Sequence, residues 1–212
     1  MKKIISILIF LLSTQVFAQH TPYWNHKVSM YKLMPNTEGE IIFLGDSITD
    51  RCEWFELFSN PLVKNRGLSG DRTSGVLDRI SEVTESNPDK IFIMIGVNDL
   101  RHDVSIEDIL KNYQSILEKI KSDSPQTKIY IQSVLPVNEL IGKPKTTSEE
   151  IIKLNIKIEN LAGEYRIPFV NVFASLADED SRLDEKYSED GLHINGDGYS
   201  VWKSIIEKYV NN

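Results

Sequence analysis

The chain has 212 residues, 41% of them hydrophobic, and a formal net charge of −7. That length is enough for one sizeable core and short for two domains. The acidic balance disfavours nucleic acid or an anionic membrane as the main partner, because both bind clustered Lys and Arg.

Residues 1–18 have the pattern of a signal peptide. Two lysines precede the apolar run Ile4–Leu12, and small or aliphatic residues follow at Val16–Ala18. The run is shorter than the roughly 20 residues needed to span a bilayer, so no membrane insertion is expected. We therefore expect residues 19–212 to be exported as a single domain to the periplasm or the medium.

Apolar runs alternate with segments of helical periodicity along the rest of the chain. The runs that predict strands are Glu40–Leu44, Leu62–Asn65, Lys90–Ile95, Lys128–Val134 and Pro168–Val172. The segments that predict helices are Thr73–Ser86, Ile106–Ile120, Glu149–Tyr165 and Gly198–Val210. Strands that are apolar on both faces and separated by helices indicate a parallel sheet covered on both sides. The predicted fold class is α/β, a three-layer α/β/α sandwich.

Polar and glycine residues follow four of the five predicted strands. They are Gly45-Asp46-Ser47, Asn65-Arg66-Gly67 with Ser69-Gly70-Asp71, Gly96-Val97-Asn98-Asp99, and Asp190-Gly191-Leu192-His193. Because the carboxyl ends of parallel strands meet at one edge of a sheet, we expect the four clusters to converge on one crevice.

Three of these residues fit the chemistry of acyl transfer. Ser47 is a candidate nucleophile, and His193 is a candidate general base that would take its proton. Asp190, three residues before His193, could orient the imidazole and stabilise its protonated form. Taken alone, Ser47 after a strand is more often a helix cap than a nucleophile, and only the other clusters favour the catalytic interpretation.

Three groups are expected to stabilise the oxyanion. They are the N–H of Ser47, the N–H of Gly67, which a missing Cβ lets approach a substrate, and the side-chain amide of Asn98. Asp46 and Asp99 are interpreted as supports that hold the loops by hydrogen bonds. No pair of His or Cys has metal-ligand spacing, so no metal site is expected.

The same clusters resemble the conserved blocks of the SGNH hydrolases, also called GDSL-type esterases and lipases. The matches are Gly45-Asp46-Ser47-Ile48, Gly67, Gly96-Val97-Asn98-Asp99 and Asp190-Gly191-Leu192-His193. The stretches NRGLSGD, IGVND, SVLPVN and DGLHINGDGY are most similar to the branch of platelet-activating-factor acetylhydrolase subunits and bacterial carbohydrate O-acetylesterases. In that branch Ser133–Asn138 would border the substrate pocket.

The resemblance implies a flavodoxin-like five-stranded sheet of order 2-1-3-4-5. It also implies ester hydrolysis through an acyl-Ser47 intermediate without a cofactor. A compact chain and export favour a short acyl group, acetyl above all, on a carbohydrate. The expected substrate is therefore a glycan ester or another small-molecule ester. The alternatives are a lysophospholipase or thioesterase with the same triad and a non-catalytic sugar-binding module. Nucleotide binding has no motif support, because neither GxxxxGKS/T nor GxGxxG is present.

Overall fold

A computed structural model describes residues 20–211 of the chain, so the predicted signal peptide lies outside the described residues. The strands are β1 (Ile41–Gly45), β2 (Val63–Gly67), β3 (Lys90–Met94), β4 (Lys128–Gln132) and β5 (Phe169–Val170). The helices are α1 (Pro22–Leu33), α2 (Ser47–Asp50), α3 (Trp54–Phe58), α4 (Thr73–Thr84), α5 (Val97–Leu100), α6 (Ile106–Asp123), α7 (Ser148–Tyr165), α8 (Phe173–Leu176) and α9 (Gly196–Val210), with a 3₁₀ turn at Glu185–Tyr187. Within this range, no helix combines the length and apolar character needed to cross a bilayer.

The five strands form one parallel sheet in the order β2-β1-β3-β4-β5, which confirms the expected fold class and strand order. Gly45 at the end of β1 lies opposite Gly67 on β2 and Met94 on β3. The three strands therefore end at the same level, and the segments that follow them share one edge of the sheet.

Strand order decides which face each connection covers. The crossover from β1 to β2 runs one way along the sheet and all later crossovers run the other way, so right-handed connections fall on opposite faces. In agreement, α4 and α7 both contact α6, whereas α3 contacts α9. On the second face, the ring of Phe43 stacks on Trp54 at 4.1 Å, and Trp54 meets Trp202 edge-on at 4.8 Å. Trp54 is thus a core residue and is fully buried.

Strands β4 and β5 are shorter than predicted, because side chains bond the backbone groups that follow each strand in place of the neighbouring strand. The hydroxyl of Ser133 accepts the N–H of Val172 at 2.9 Å. The side-chain amide of Asn155 bonds both the N–H and the carbonyl of Val134, at 2.8 and 2.9 Å. These backbone groups are satisfied without strand pairing, so regular sheet ends earlier than the apolar pattern suggests.

Helix α1 was not among the predicted elements. Only Val28 and Tyr31 of its twelve residues are buried, so it lacks the apolar stripe that marks an amphipathic helix. Its start carries two recognisable signals. Thr21 caps the N–H of Trp24, and Pro22 occupies the first turn.

Candidate active site

The turn after β1 places Ser47 at the first position of α2. Asp46 is the N-cap of this helix, and its Oδ1 accepts the N–H of Ile48 at 3.0 Å. Because Asp46 caps the helix, the hydroxyl of Ser47 is left for another partner. Gly45 lets the turn sit tightly against β3, since a Cβ there would lie 2.4 Å from the carbonyl oxygen of Met94.

Ser47, His193 and Asp190 form a continuous hydrogen-bonded chain. Oγ of Ser47 lies 3.0 Å from Nε2 of His193, and Nδ1 of His193 lies 2.7 Å from Oδ2 of Asp190. An ionised carboxylate only accepts hydrogen bonds, so neutral His193 carries its proton on Nδ1 and leaves Nε2 to accept from the serine. The structure therefore brings together the three residues that the sequence nominates from opposite ends of the chain.

The Asp190 carboxylate is held by its own loop. Its Oδ1 accepts the N–H of Leu192 at 2.9 Å and the N–H of His193 at 2.8 Å. Burial opposes ionisation, but the hydrogen bond from the His193 ring and the two N–H groups outweigh it and lower the pKa of Asp190 to about 2. The group beside the imidazole is consequently an anion at neutral pH.

The irregular segment after β4 packs against the Asp190 loop. The N–H of Asn138 donates to the carbonyl of Gly191 at 2.7 Å. A Cβ on Gly142 would lie 1.9 Å from the carbonyl oxygen of Asp190, and one on Gly191 would lie 2.2 Å from that of Asn138. Asn138 is buried, and here it braces the loop that carries the acid and the base.

Gly67 does not occupy the role expected for it. It is the last residue of β2, and its N–H already donates to Oδ1 of Asn65 at 2.8 Å. The missing side chain serves packing instead, because a Cβ would lie 2.1 Å from the backbone nitrogen of Asp50. The expectation that Gly67 offers its N–H to an oxyanion is therefore corrected.

Gly70, three residues later, has the open N–H that Gly67 lacks. The N–H of Asp71 donates to the carbonyl of Leu68 at 2.9 Å, and Gly70 has φ +82°, as at the third position of a type II turn. Among the described residues, nothing accepts the N–H of Gly70. The turn adjoins the nucleophile, since the N–H of Leu68 donates to the carbonyl of Gly45 at 3.0 Å. Sequence reasoning passed over Gly70 because a glycine in this setting also marks an ordinary bend.

Asn98 lies in α5, just beyond β3, and is 2% exposed. Its Nδ2 donates to the carbonyl oxygen of Asp71 at 3.0 Å. The amide has two hydrogens on this nitrogen, so a second one remains for another acceptor. Asn98 is thereby bound to the same turn that contains Gly70.

Asp99 and Asp46 act as supports in the expected sense. The Asp99 carboxylate accepts the N–H of Thr73 at 3.0 Å and its hydroxyl at 2.6 Å, which ties α5 to the start of α4. Burial raises the pKa of Asp46 to about 7, with the N–H of Ile48 opposing this and the charges of Asp71 and Asp99 adding to it. Neither carboxyl group belongs to the chain of contacts that leads to Ser47 Oγ.

A buried ionic cluster behind the site was not anticipated. Nε of Arg79 lies 2.8 Å from Oδ2 of Asp71, and Nη1 lies 3.2 Å from Oε1 of Glu82. Nη2 donates to the carbonyls of Gly45 and Arg66, at 3.3 and 2.8 Å, so one guanidinium joins the ends of β1 and β2. The available signal was an Arg and a Glu three residues apart within the apolar periodicity of α4.

Comparisons with known proteins identify the family and the fold of this chain. Residues 43–201 match the model of the GDSL-like Lipase/Acylhydrolase family. The rat (Rattus norvegicus) platelet-activating factor acetylhydrolase IB subunit alpha2 is 27% identical over 173 residues, which cover 77% of this chain and 72% of the relative. A Streptococcus pneumonia protein described as a platelet activating factor is 31% identical with a TM-score of 0.83, covering 89% of this chain and 92% of that one. An acetyl xylan esterase shares the fold, with 18% identity and a TM-score of 0.64 over 81% of this chain and 98% of the other.

The parallel sheet, the blocks at its edge and these relatives define a carboxylic ester hydrolase. The chain belongs to the GDSL-like lipase/acylhydrolase family, whose model covers most of its length.

Proposed function

We propose that the protein is a serine esterase that hydrolyses short-chain acyl esters, acetyl esters above all, carried on carbohydrate. The observation that supports it most directly is the hydrogen-bonded chain from Ser47 through His193 to Asp190. This chain supplies a nucleophile, a base in contact with it and a carboxylate that orients the base, which acyl transfer through a covalent intermediate requires.

In the first half-reaction, Oγ of Ser47 attacks the ester carbonyl carbon while Nε2 of His193 takes the hydroxyl proton. The tetrahedral intermediate collapses, the carbon–oxygen bond to the alcohol breaks, and the alcohol leaves with the proton from Nε2. Water then attacks the acyl-serine with His193 again as base, which releases the carboxylic acid and restores Ser47. The Asp190 anion stabilises the imidazolium in both halves.

Negative charge on the former carbonyl oxygen needs donors at the same edge of the sheet. We assign this role to the N–H of Ser47, the free hydrogen on Nδ2 of Asn98 and the N–H of Gly70. Gly70 takes the place of Gly67, whose N–H is engaged by Asn65. Loss of one such donor typically costs about 10²–10³ in kcat.

The preference for acetyl groups rests on the family branch. The rat relative is an acetylhydrolase subunit by name, and the solved structure at 18% identity is an acetyl xylan esterase, so both names refer to acetyl groups. A sugar as the alcohol fits an exported hydrolase. These points support the substrate class.

Replacing Ser47 with Ala tests the mechanism. Hydrolysis of an aryl acetate by the purified variant should fall to background with the thermal unfolding temperature unchanged. Ser122→Ala, an exposed serine of α6, is the matched control and should keep full activity. Full activity in the Ser47 variant would contradict the proposed nucleophile. Failure of a fluorophosphonate probe to label wild-type Ser47 would contradict the proposal and favour a binding module.

Substrate choice is tested separately from mechanism. Rates on aryl esters with acyl chains of two to twelve carbons should decline as the chain lengthens, and acetate should be released from a panel of acetylated glycans. A maximum at long chains would instead indicate the lysophospholipase or thioesterase alternative.

We also propose that the protein is exported and that its leader is removed after Ala18. N-terminal analysis of the protein recovered from the periplasm or medium should then begin at Gln19. An intact Met1 on the recovered protein would refute this.

A further inference from the structure

Arg101 joins the proposed oxyanion site to the irregular segment after β4. It is the C-cap residue of α5 and is partly buried. Its Nη1 donates to Oδ1 of Asn98 at 3.0 Å, and its Nε donates to the carbonyl of Pro144 at 2.7 Å. Two fixed acceptors on different segments therefore hold the guanidinium plane in one orientation.

The two neighbours of the Asn98 amide determine which way it faces. Arg101 can only donate hydrogen bonds, and the Asp71 carbonyl, 3.0 Å from Nδ2, can only accept them. Rotating the amide by half a turn would place its NH₂ against the guanidinium and its oxygen against a carbonyl, which replaces two attractive contacts with two repulsive ones. The observed orientation directs the remaining N–H of Nδ2 away from both neighbours.

We propose that Arg101 is a positioning residue for ester hydrolysis, because it locks the Asn98 amide with its NH₂ end toward the substrate oxygen. The inference rests on the proposed function of Asn98 as an oxyanion donor. Arg101 acts through Asn98 and contacts neither the substrate nor the nucleophile. Its positive charge adjacent to Oδ1 also polarises the amide, so that the N–H becomes a stronger donor as charge develops on the oxyanion.

The first test replaces Arg101 with Met, which keeps the length of the side chain and removes both hydrogen bonds. With an aryl acetate, kcat should fall about 10- to 100-fold, approaching the loss of one oxyanion donor, while KM changes less than about threefold. Arg101→Lys should have a kcat between those of wild type and Arg101→Met. An ammonium keeps the positive charge but cannot donate to both acceptors in the fixed geometry of a guanidinium. Arg166→Met, an exposed arginine beyond α7, is the control and should behave as wild type.

The second test is a double-mutant cycle with Asn98→Ala. If Arg101 acts through the amide, Arg101→Met should lower kcat less than about twofold once the amide is gone, whereas independent effects would multiply. Multiplicative losses, or a wild-type kcat in both Arg101 variants, would overturn the proposal. If the Met variant does not fold, the Lys variant provides the same cycle. If Ser47→Ala is inactive and the Arg101 variants keep wild-type activity, only the positioning role is refuted. If Ser47→Ala is active, the proposed serine esterase mechanism itself is refuted.

Discussion

Gly142 offers a direct test of how tightly the acid–base loop must be held. Its Cα faces the carbonyl oxygen of Asp190 so closely that an added Cβ would lie 1.9 Å away, whereas real Cβ contacts stay above 3.0 Å. In Gly142→Ala the Asp190 loop and the segment after β4 must therefore separate by about 1 Å, and a misplacement of that size can cost about 10²-fold in rate. The bonds at stake are those of His193 to Asp190 and Ser47, 2.7 and 3.0 Å long.

The assay is steady-state hydrolysis of an aryl acetate, with kcat and KM determined separately. Gly142→Ala should lower kcat about 100-fold while the protein stays folded by circular dichroism. Gly163→Ala is the matched control, because a Cβ at that helical position meets nothing within 4 Å. It should keep full activity and raise stability by up to about 1 kcal/mol. A kcat within twofold of wild type for Gly142→Ala would refute the view that this contact sets the triad geometry.

Three further predictions concern buried or paired charges. Asp190→Asn should lower kcat by several orders of magnitude, because the imidazole loses its anionic partner. In the wild-type pH–rate profile, protonation of Asp190 should cause no loss of activity above about pH 3, because the pKa of Asp190 is about 2. Arg79→Met should destabilise the protein by about 3–5 kcal/mol in urea unfolding, since Asp71 stays buried without its cation and Glu82 loses one of its two arginine partners; a loss below about 1 kcal/mol would contradict this. Folding raises the pKa of Asp46 from 3.8 to about 7, so its contribution to the free energy of unfolding should fall as pH rises from about 4 to 7, by up to about 1.4 kcal/mol per pH unit. Asp46→Asn should lack this pH dependence, and equal slopes of unfolding free energy against pH in the two proteins would refute the prediction.

The sheet and the proposed triad were predictable because short sequence patterns determine the arrangement of the strands, and that arrangement determines which residues meet. Apolar runs alternating with helical segments allow few arrangements, and a parallel sheet brings the ends of β1 and β3 and the loop of His193 to one edge. The candidate site residues lie in short polar clusters that follow the apolar runs along the chain. Their convergence could therefore be inferred without distances.

The proposed oxyanion donors were less predictable, because the residue that offers a free N–H depends on where strand β2 ends. Gly67 follows an apolar run and looks like the first residue of a turn, yet register pairs it with Gly45 inside the sheet, where Asn65 takes its N–H. The chain reaches an open N–H only at Gly70, one β-turn later. A pattern of residue types does not distinguish these two positions, because both glycines satisfy the same steric requirement.

Helix α1 shows why the contacts behind the site escaped sequence reasoning. Its links to the site are polar: Nε1 of Trp24 donates to Asp71 at 3.1 Å, the hydroxyl of Tyr31 donates to the carbonyl of Gly67, and Lys27 lies 2.9 Å from Asp50. Hydrophobic periodicity predicts helices that bury an apolar face. It gives no signal for an exposed helix that is held by hydrogen bonds and an ion pair. All three links end on the segments around the nucleophile and the Gly70 turn, so α1 stabilises the edge of the sheet where the donors must stay in place. A helix with a weak sequence signal can therefore be bonded to the candidate active site as directly as the strands that carry the motifs.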